Sequence, residues 1–272
     1  MRPKKHLGQH FLTAPAIAAR IAAAIPAGAG EQTLEIGPGR GALSVRLIER
    51  FPEMHFVEVD GDTLAALGKK LGGDGGQIDR DTVNNYTVHN EDVMSFDFAK
   101  AGFPLHVVGN LPYNIGALII KKTLLYAPNV LSCTFMVQKE VALRIVSGPR
   151  SRQNGFLSIF CQFFGTVKLL FHVPPGAFFP RPNVDSSVFQ IIICPNVEEK
   201  LERSRWDDFF AFVDSGFSMR RKQLAKVMSL KFGRDKDFYG SALADAGVHA
   251  AARPEDIDVG GWLDFYRRVK MQ

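Results

Sequence analysis

Four short stretches of this 272-residue chain hold side chains whose type and spacing can do chemistry. Glu35-Ile36-Gly37-Pro38-Gly39-Arg40-Gly41 stands where a strand pattern meets a helical one. Glycines such as Gly37 and Gly39 there let the backbone approach a ligand closely and set helix N–H groups beside it. The spacing is GxGxG, neither the GxGxxG dinucleotide fingerprint nor a GxxxxGK phosphate loop, so a ligand without phosphate is expected. Glu58, about 20 residues on, is suited to accept both ribose hydroxyls of a nucleoside. Glu91-Asp92 follows a third strand pattern, where a carboxylate accepts a hydrogen bond from an adenine amino group. Acidic residues at three successive strand ends describe a site for an adenosine without phosphates, which points to S-adenosylmethionine. Taken singly, each also reads as a turn glycine or a solvated carboxylate.

Asn110-Leu111-Pro112-Tyr113 is the fourth stretch and closes a fourth strand pattern. The amino nitrogen of a nucleobase is a poor nucleophile because its lone pair is delocalised into the ring. An amide oxygen at Asn110 and a backbone carbonyl at Leu111 that accept its hydrogens stabilise the pyramidal form and aim the lone pair at a methyl sulfonium. Tyr113 can stack on the base. The alternative is a proline-terminated strand with a turn asparagine.

These residues need a sheet to hold them. Strand patterns at 33–36, 55–59, 86–89, 105–108 and 133–137 alternate with helical stretches, which predicts a parallel sheet covered on both faces. The first of these helices shows Leu43, Leu47 and Phe51 on its apolar face. Residues 167–171 and 186–193 are strand-like but joined by a proline-rich loop, so an antiparallel pair at the sheet edge is expected. Beyond Cys194-Pro195-Asn196 the β-branched runs stop and helical patterns such as 206–217 take over. The expected division is a ligand-binding domain over 1–199 and a small all-helical domain over 200–272. Near the start, Ile17, Ile21 and Ile25 recur every four residues, which makes 1–25 part of the folded domain rather than a signal peptide.

Charge and composition narrow the class. The net charge is +5 and 46% of residues are apolar, which excludes a disordered or low-complexity chain. Residues 1–30 carry four basic and no acidic residues, 31–120 seven against thirteen, and 121–185 eight against two. An acidic half suits a neutral or cationic ligand, and the basic segments suit a polyanion such as nucleic acid. Gly148-Pro149-Arg150-Ser151-Arg152-Gln153-Asn154-Gly155 reads as a mobile basic loop in which Arg150 and Arg152 clamp a phosphate backbone, or as a merely solvated loop. Arg220, Arg221 and Lys222 suit the same task. Cys133, Cys161 and Cys194 fit neither a disulfide framework nor a zinc pattern, so reduced intracellular thiols, no metal and a cytoplasmic location are expected. No run is long and apolar enough for a membrane span. A monomer is expected.

Several runs together carry a resemblance. They are Leu7-Gly8-Gln9-His10-Phe11-Leu12, the 35–41 loop, Asn110 to Tyr113, Met136-Val137-Gln138-Lys139-Glu140-Val141-Ala142, Phe178 with Pro180, Pro182, Val184, Asp185 and Ser186, and Arg220-Arg221-Lys222. In this order, over nearly the whole chain, they resemble the ribosomal RNA adenine N6,N6-dimethyltransferase family. The resemblance implies a class I, Rossmann-like methyltransferase fold of α/β class with a small C-terminal all-helical domain that binds RNA or the ribosome. It implies S-adenosylmethionine as methyl donor and N6,N6-dimethylation of two adjacent adenines near the 3′ end of small-subunit (16S) ribosomal RNA, with a role in small-subunit biogenesis and a partly assembled small ribosomal subunit as partner. By position, His10, Leu12, Gly37, Glu58, Asp92 and Asn110 would contact the cofactor, His10 standing where many members carry Asn. Asn110, Leu111 and Tyr113 would meet the target base, which Phe178 would sandwich against Tyr113; the adjacent Phe179 leaves open which ring does so. The rival readings are a large-subunit RNA methyltransferase, a DNA adenine methyltransferase, and a non-catalytic RNA-binding assembly or transcription factor. Leu111 in place of a second proline argues against the DNA enzyme, and the complete set of Asn110 to Tyr113 with Glu58 and Asp92 against loss of catalysis.

Overall fold

The computed structural model describes residues 8–26, 28, 30–51, 53–71 and 85–270, so Leu7 lies outside the described residues. The chain forms two compact units, one from Met1–Ala142 and Thr166–Pro195, the other from Leu143–Gly165 and Asn196–Gln272.

The first unit opens with β1 (Phe11–Leu12), α1 (Pro15–Ala24) and β2 (Gln32–Ile36). It continues through α2 (Ser44–Ile48), β3 (Glu53–Val57), α3 (Gly61–Lys70), β4 (Asn85–His89), β5 (Leu105–Asn110), α4 (Gly116–Leu124) and β6 (Val130–Gln138). After α5 (Lys139–Val146) and α6 (Phe156–Phe164) come β7 (Gly165–Val173), β8 (Phe178–Phe179) and β9 (Ser186–Ile193). Among the described residues seven strands make one sheet in the order β4-β3-β2-β5-β6-β9-β7, and β1 pairs with β8 in a separate ribbon. The pairs β2–β3, β3–β4, β2–β5 and β5–β6 are parallel, while β9 runs antiparallel to β6. The edge pair expected from the sequence is there as neighbours, with β9 set between β6 and β7.

Burial explains the pattern. Strand β5 is buried from Leu105 through Gly109, as a parallel strand covered on both faces must be. Pro15 presets the backbone at the start of α1, and Ala18, Ile21 and Ala22 of that helix are buried with Ile25 just beyond it, joining Leu43, Leu47, Phe51 and Phe56 in one core. At the sheet edge where the parallel strands begin, buried His106 meets Glu31 at 2.8 Å through Nε2 and Ser132 at 2.8 Å through Nδ1. Both ring nitrogens of this buried residue are therefore paired.

Glu35 is a buried acid not fully paired in this way. It is 2% exposed, its Oε2 has no hydrogen-bond partner, and burial pushes its pKa from 4.5 to about 8, with the Glu58 charge adding and the Ser44 side chain opposing.

The second unit holds α6 with α7 (Val197–Lys200), α8 (Trp206–Phe217), α9 (Leu224–Phe232), α10 (Lys236–Asp245) and α11 (Val259–Lys270). The sequence reading put its start near 200 and left α6 in the first unit. Aromatic packing accounts for the difference: Phe160 lies 4.4 Å from Phe210, Phe164 5.1 Å from Trp206 and Phe163 5.5 Å from Phe209, ring centre to ring centre. Contacts of this kind each add roughly 0.5–1.5 kcal/mol beyond the buried area.

Two outcomes follow. A methyl group at Gly216 of α8 would sit 2.4 Å from the Trp262 ring and 2.9 Å from Leu224, so Gly216→Ala should cost roughly 1–3 kcal/mol by overpacking despite its better helix propensity, read as a lower urea midpoint. The second concerns pH. An acid whose folded-state pKa is raised favours the folded chain while neutral, so the stability from Glu35 is complete below its unfolded value of 4.5 and is lost as pH climbs to about 8. Across that window Glu35→Gln should gain on the parent by on the order of a few kcal/mol in urea denaturation. Parallel stability curves for the two proteins would remove Glu35 as the cause.

Candidate active site

In the order β4-β3-β2-β5 the chain builds outward from β2 in one direction and then returns to β2's other side, which leaves a crevice beyond the carboxyl ends of β2 and β5. Gly109 is what lets these strand ends close up. A Cβ there would lie 2.7 Å from the Ile36 carbonyl oxygen and 3.1 Å from the Leu111 side chain. The crevice holds a cavity of about 190 Å³. Its wall takes His10 and Phe11 from the N-terminal segment, Gly37 and Gly39 from the glycine loop, Glu58 from beyond β3, Glu91 and Asp92 from beyond β4, and 110–115 from beyond β5. Among the described residues three carboxylates and no lysine or arginine line it. That lining disfavours phosphate and suits a neutral or cationic ligand.

The glycine loop is a cradle. Gly37 has φ +64°, which side-chain-bearing residues rarely adopt, and an added Cβ would meet nothing within 4 Å, so its bare backbone faces open space. Its N–H donates to the Val57 carbonyl at 2.9 Å. Glu58 follows the last residue of β3 rather than ending the strand, because register with β2 stops β3 at Val57. Its carboxylate is 8% exposed and accepts from the Asp60 N–H at 3.0 Å. Burial raises its pKa, and backbone N–H groups of Asp60, Gly39 and Val59 oppose the shift against the charge of Asp60. Asp92 Oδ1 accepts from the Met94 N–H at 2.8 Å, while Glu91 is paired with Lys100 at 2.8 Å. An adenosine bearing a positive charge fits this donor and acceptor set.

Asn110 and Tyr113 are held from behind. Asn110 Nδ2 donates to the His10 carbonyl at 2.8 Å, which commits the NH₂ end and leaves Oδ1 as the acceptor end of the amide. The Leu111 N–H donates to Met136 at 3.0 Å. The Tyr113 hydroxyl shares a hydrogen bond of 2.7 Å with Ser186, and burial pushes its pKa up with Ser186 opposing. The His10 ring stacks on Tyr113 with centroids 5.2 Å apart. His10 Nδ1 lies 2.8 Å from the Pro180 carbonyl, which only accepts, so Nδ1 carries a proton in that contact.

The cavity thus brings together His10, Gly37, Gly39, Glu58, Asp92, Asn110, Leu111 and Tyr113. It does not reach Leu12 or Phe178, which are 7% and 4% exposed and packed in the core. Adjacent strand residues face opposite ways, and in the β1–β8 ribbon Phe178 turns inward while Phe179 is 53% exposed. Phe178, expected to stack on the base with Tyr113, is thus packed in the core and does not line the cavity that Tyr113 lines. The sequence reading gave no role to Phe11, Gln9 or the Ser186 hydroxyl; Phe11 lies in a two-residue strand, which carries no periodicity that would have exposed it.

The basic residues lie in the second unit, all exposed. The 148–155 loop, read from sequence as mobile, is tied down: the Arg150 N–H donates to Glu255 at 2.9 Å, Asn154 Nδ2 to Glu255 at 3.0 Å, and Arg220 Nη2 to the carbonyls of Arg152 and Asn154 at 2.7 and 2.6 Å. These bonds make one basic surface of the two segments. Cys133, Cys161 and Cys194 are free thiols, and among the described residues no three metal-ligating side chains cluster and no helix is long and apolar enough to cross a membrane.

Known proteins are similar to this chain in sequence and fold. Proteins named ribosomal RNA small subunit methyltransferase A are similar along most of their length: that of Aromatoleum aromaticum is 39% identical over 84% of this chain and 81% of its own, and that of Cupriavidus taiwanensis 37% identical over 98% and 93%. Among solved structures, a dimethyladenosine transferase from Plasmodium falciparum superposes with a TM-score of 0.80 at 21% identity over 96% of this chain and 98% of its own, and the 23S rRNA methyltransferase ErmE with 0.70 at 24% over 96% and 99%. The fold is that of the Rossmann-like methyltransferases. The sequence model of the family described as ribosomal RNA adenine dimethylase spans residues 1–270, and to that family this chain belongs.

Proposed function

We propose that this protein uses S-adenosylmethionine to dimethylate N6 of two adjacent adenines near the 3′ end of 16S ribosomal RNA, acting in the cytoplasm as a monomer on a partly assembled small subunit. The orientation of Asn110 carries the chemical part. With Nδ2 committed to His10, Oδ1 is the acceptor for the target amino group, and Tyr113 beside it supplies a ring for the base. Accepting those hydrogens localises the nitrogen lone pair, and the fixed amide does so without reorganising. Gly37, Gly39, Glu58, Asp92 and His10 are the residues to hold the cofactor, which when bound supplies an electrophilic methyl group on a sulfonium. The carboxylates Glu58, Glu91 and Asp92 of the lining support that positive charge. Small-subunit choice rests on the relatives named above and on the basic surface of the second unit, since a base in a pocket reports nothing about its neighbours.

Labelled methyl transfer to small subunits, large subunits and duplex DNA, followed by nucleoside analysis, tests the reading; N6,N6-dimethyladenosine from small subunits alone is the expected result. Asn110→Ala should fold normally yet turn over more slowly by on the order of a hundredfold or more, and parental turnover would end its assigned role. Arg221→Ala with Lys222→Ala leaves the Arg220 tether in place. This pair should flatten the salt dependence of subunit binding, by about 0.7 in the log–log slope for each lost contact to single-stranded phosphate, with S-adenosylmethionine affinity unchanged. Equal slopes for parent and variant would take these residues out of the RNA footprint.

A further inference from the structure

Phe179 is a large apolar ring left 53% exposed, and its surroundings set it apart from an ordinary surface residue. In the β1–β8 ribbon it stands directly across from Phe11, whose ring lines the cavity. The Arg40 guanidinium lies 4.7 Å from the centre of the Phe11 ring and 5.6 Å from that of Phe179, spanning both. Arg40 itself follows Gly39 of the cradle, and Phe11 packs against that glycine so closely that an added Cβ would be 3.0 Å from its ring. The loop beyond Phe179 is fastened to the same rim by the bond from His10 to Pro180. An exposed aromatic face and a planar cation are thus held side by side near a cavity that, among the described residues, is lined by neither lysine nor arginine.

We infer that Phe179 and Arg40 form a subsite for a nucleotide of single-stranded RNA next to the target adenine, the base stacking on Phe179 and Arg40 meeting the backbone phosphate. This rests on the proposed RNA substrate and adds to it where a flanking residue is held. A planar guanidinium is weakly hydrated, stacks on rings and pairs with phosphate oxygens, while any base offers a π-face to a phenyl ring. A guanidinium over the same rings leaves the outer face of Phe179 for a base and brings positive charge to the strand between that base and the cavity. Among the described residues the cavity lining offers phosphate carboxylates and no lysine or arginine, so phosphate is drawn to Arg40 and the base to the cavity.

The experiment is steady-state methylation of small subunits by parent, Phe179→Ala, Phe179→Leu, Phe179→Trp and Arg40→Ala, with S-adenosylmethionine affinity and thermal midpoint measured on each. Stacking by one base is worth roughly 1–3 kcal/mol, so Phe179→Ala should raise KM for the subunit on the order of tenfold with kcat nearly unchanged. Phe179→Trp should restore the parental KM and Phe179→Leu should not, which separates a stacking ring from mere apolar bulk. Arg40→Ala should raise KM and weaken its dependence on salt. A KM within twofold of the parent for Phe179→Ala, or full rescue by leucine, overturns the subsite. A parent that methylates no small subunits refutes the proposed function instead, and the two failures are told apart in the same assay.

Discussion

Only a hydrogen atom fits on the α-carbon of Gly109. With any side chain there, β5 would be pushed off the Ile36 carbonyl, and the parallel pairing of β2 with β5 would lose its last pair, Ile36 with Gly109. Because the two strands stay together to their ends, the glycine loop after β2 and the Asn110 segment after β5 emerge side by side. The wall of the cavity follows from that closeness. The N-terminal segment lies against both: Asn110 holds the His10 carbonyl, His10 covers Tyr113, and Phe11 packs on Gly39.

Charge is divided between the units in keeping with two different ligands. The charged residues among the described ones lining the cavity are the carboxylates Glu58, Glu91 and Asp92, and two of the acids at the head of the sheet, Glu35 and Glu58, are buried enough for their pKa values to rise. Backbone N–H groups around Glu58 keep it from being an isolated charge in a poorly solvated place. The basic surface of Arg150, Arg152, Arg220, Arg221 and Lys222 belongs wholly to the other unit, where exposed cations attract a polyanion at long range without filling the cavity.

How much of this was legible depended on whether local pattern or distant pairing decided it. Buried parallel strands read as apolar runs ending in turns, so their number and alternation with helices could be seen, as could acidic residues at their ends. Exact ends could not: β3 stops at Val57 because β2 stops opposite it, and nothing within 55–59 says so. The β1–β8 ribbon was invisible because each strand is two residues long and its partner lies far along the chain. That ribbon also decides which of Phe178 and Phe179 turns inward, a choice two identical neighbours cannot announce. Helix α6 showed plainly as an apolar stretch, but such a stretch reveals only that it will be covered, and by which rings is a tertiary matter.

The placement of α6 bears on how this protein can be taken apart or recombined. Phe160, Phe163 and Phe164 sit between β6 and β7 in sequence yet share one aromatic core with Trp206, Phe209 and Phe210. The carboxy-terminal helices are therefore no detachable appendage. A shortened chain ending at the tempting boundary near 200 would bare a strip of phenyl rings and invite aggregation, and a chimera exchanging the last seventy-odd residues with a relative would need matching rings in the middle of its catalytic half. Diversification of the helical part must proceed in step with an internal segment of the methyltransferase, which makes the pair of them, rather than the linear C-terminus, the heritable module.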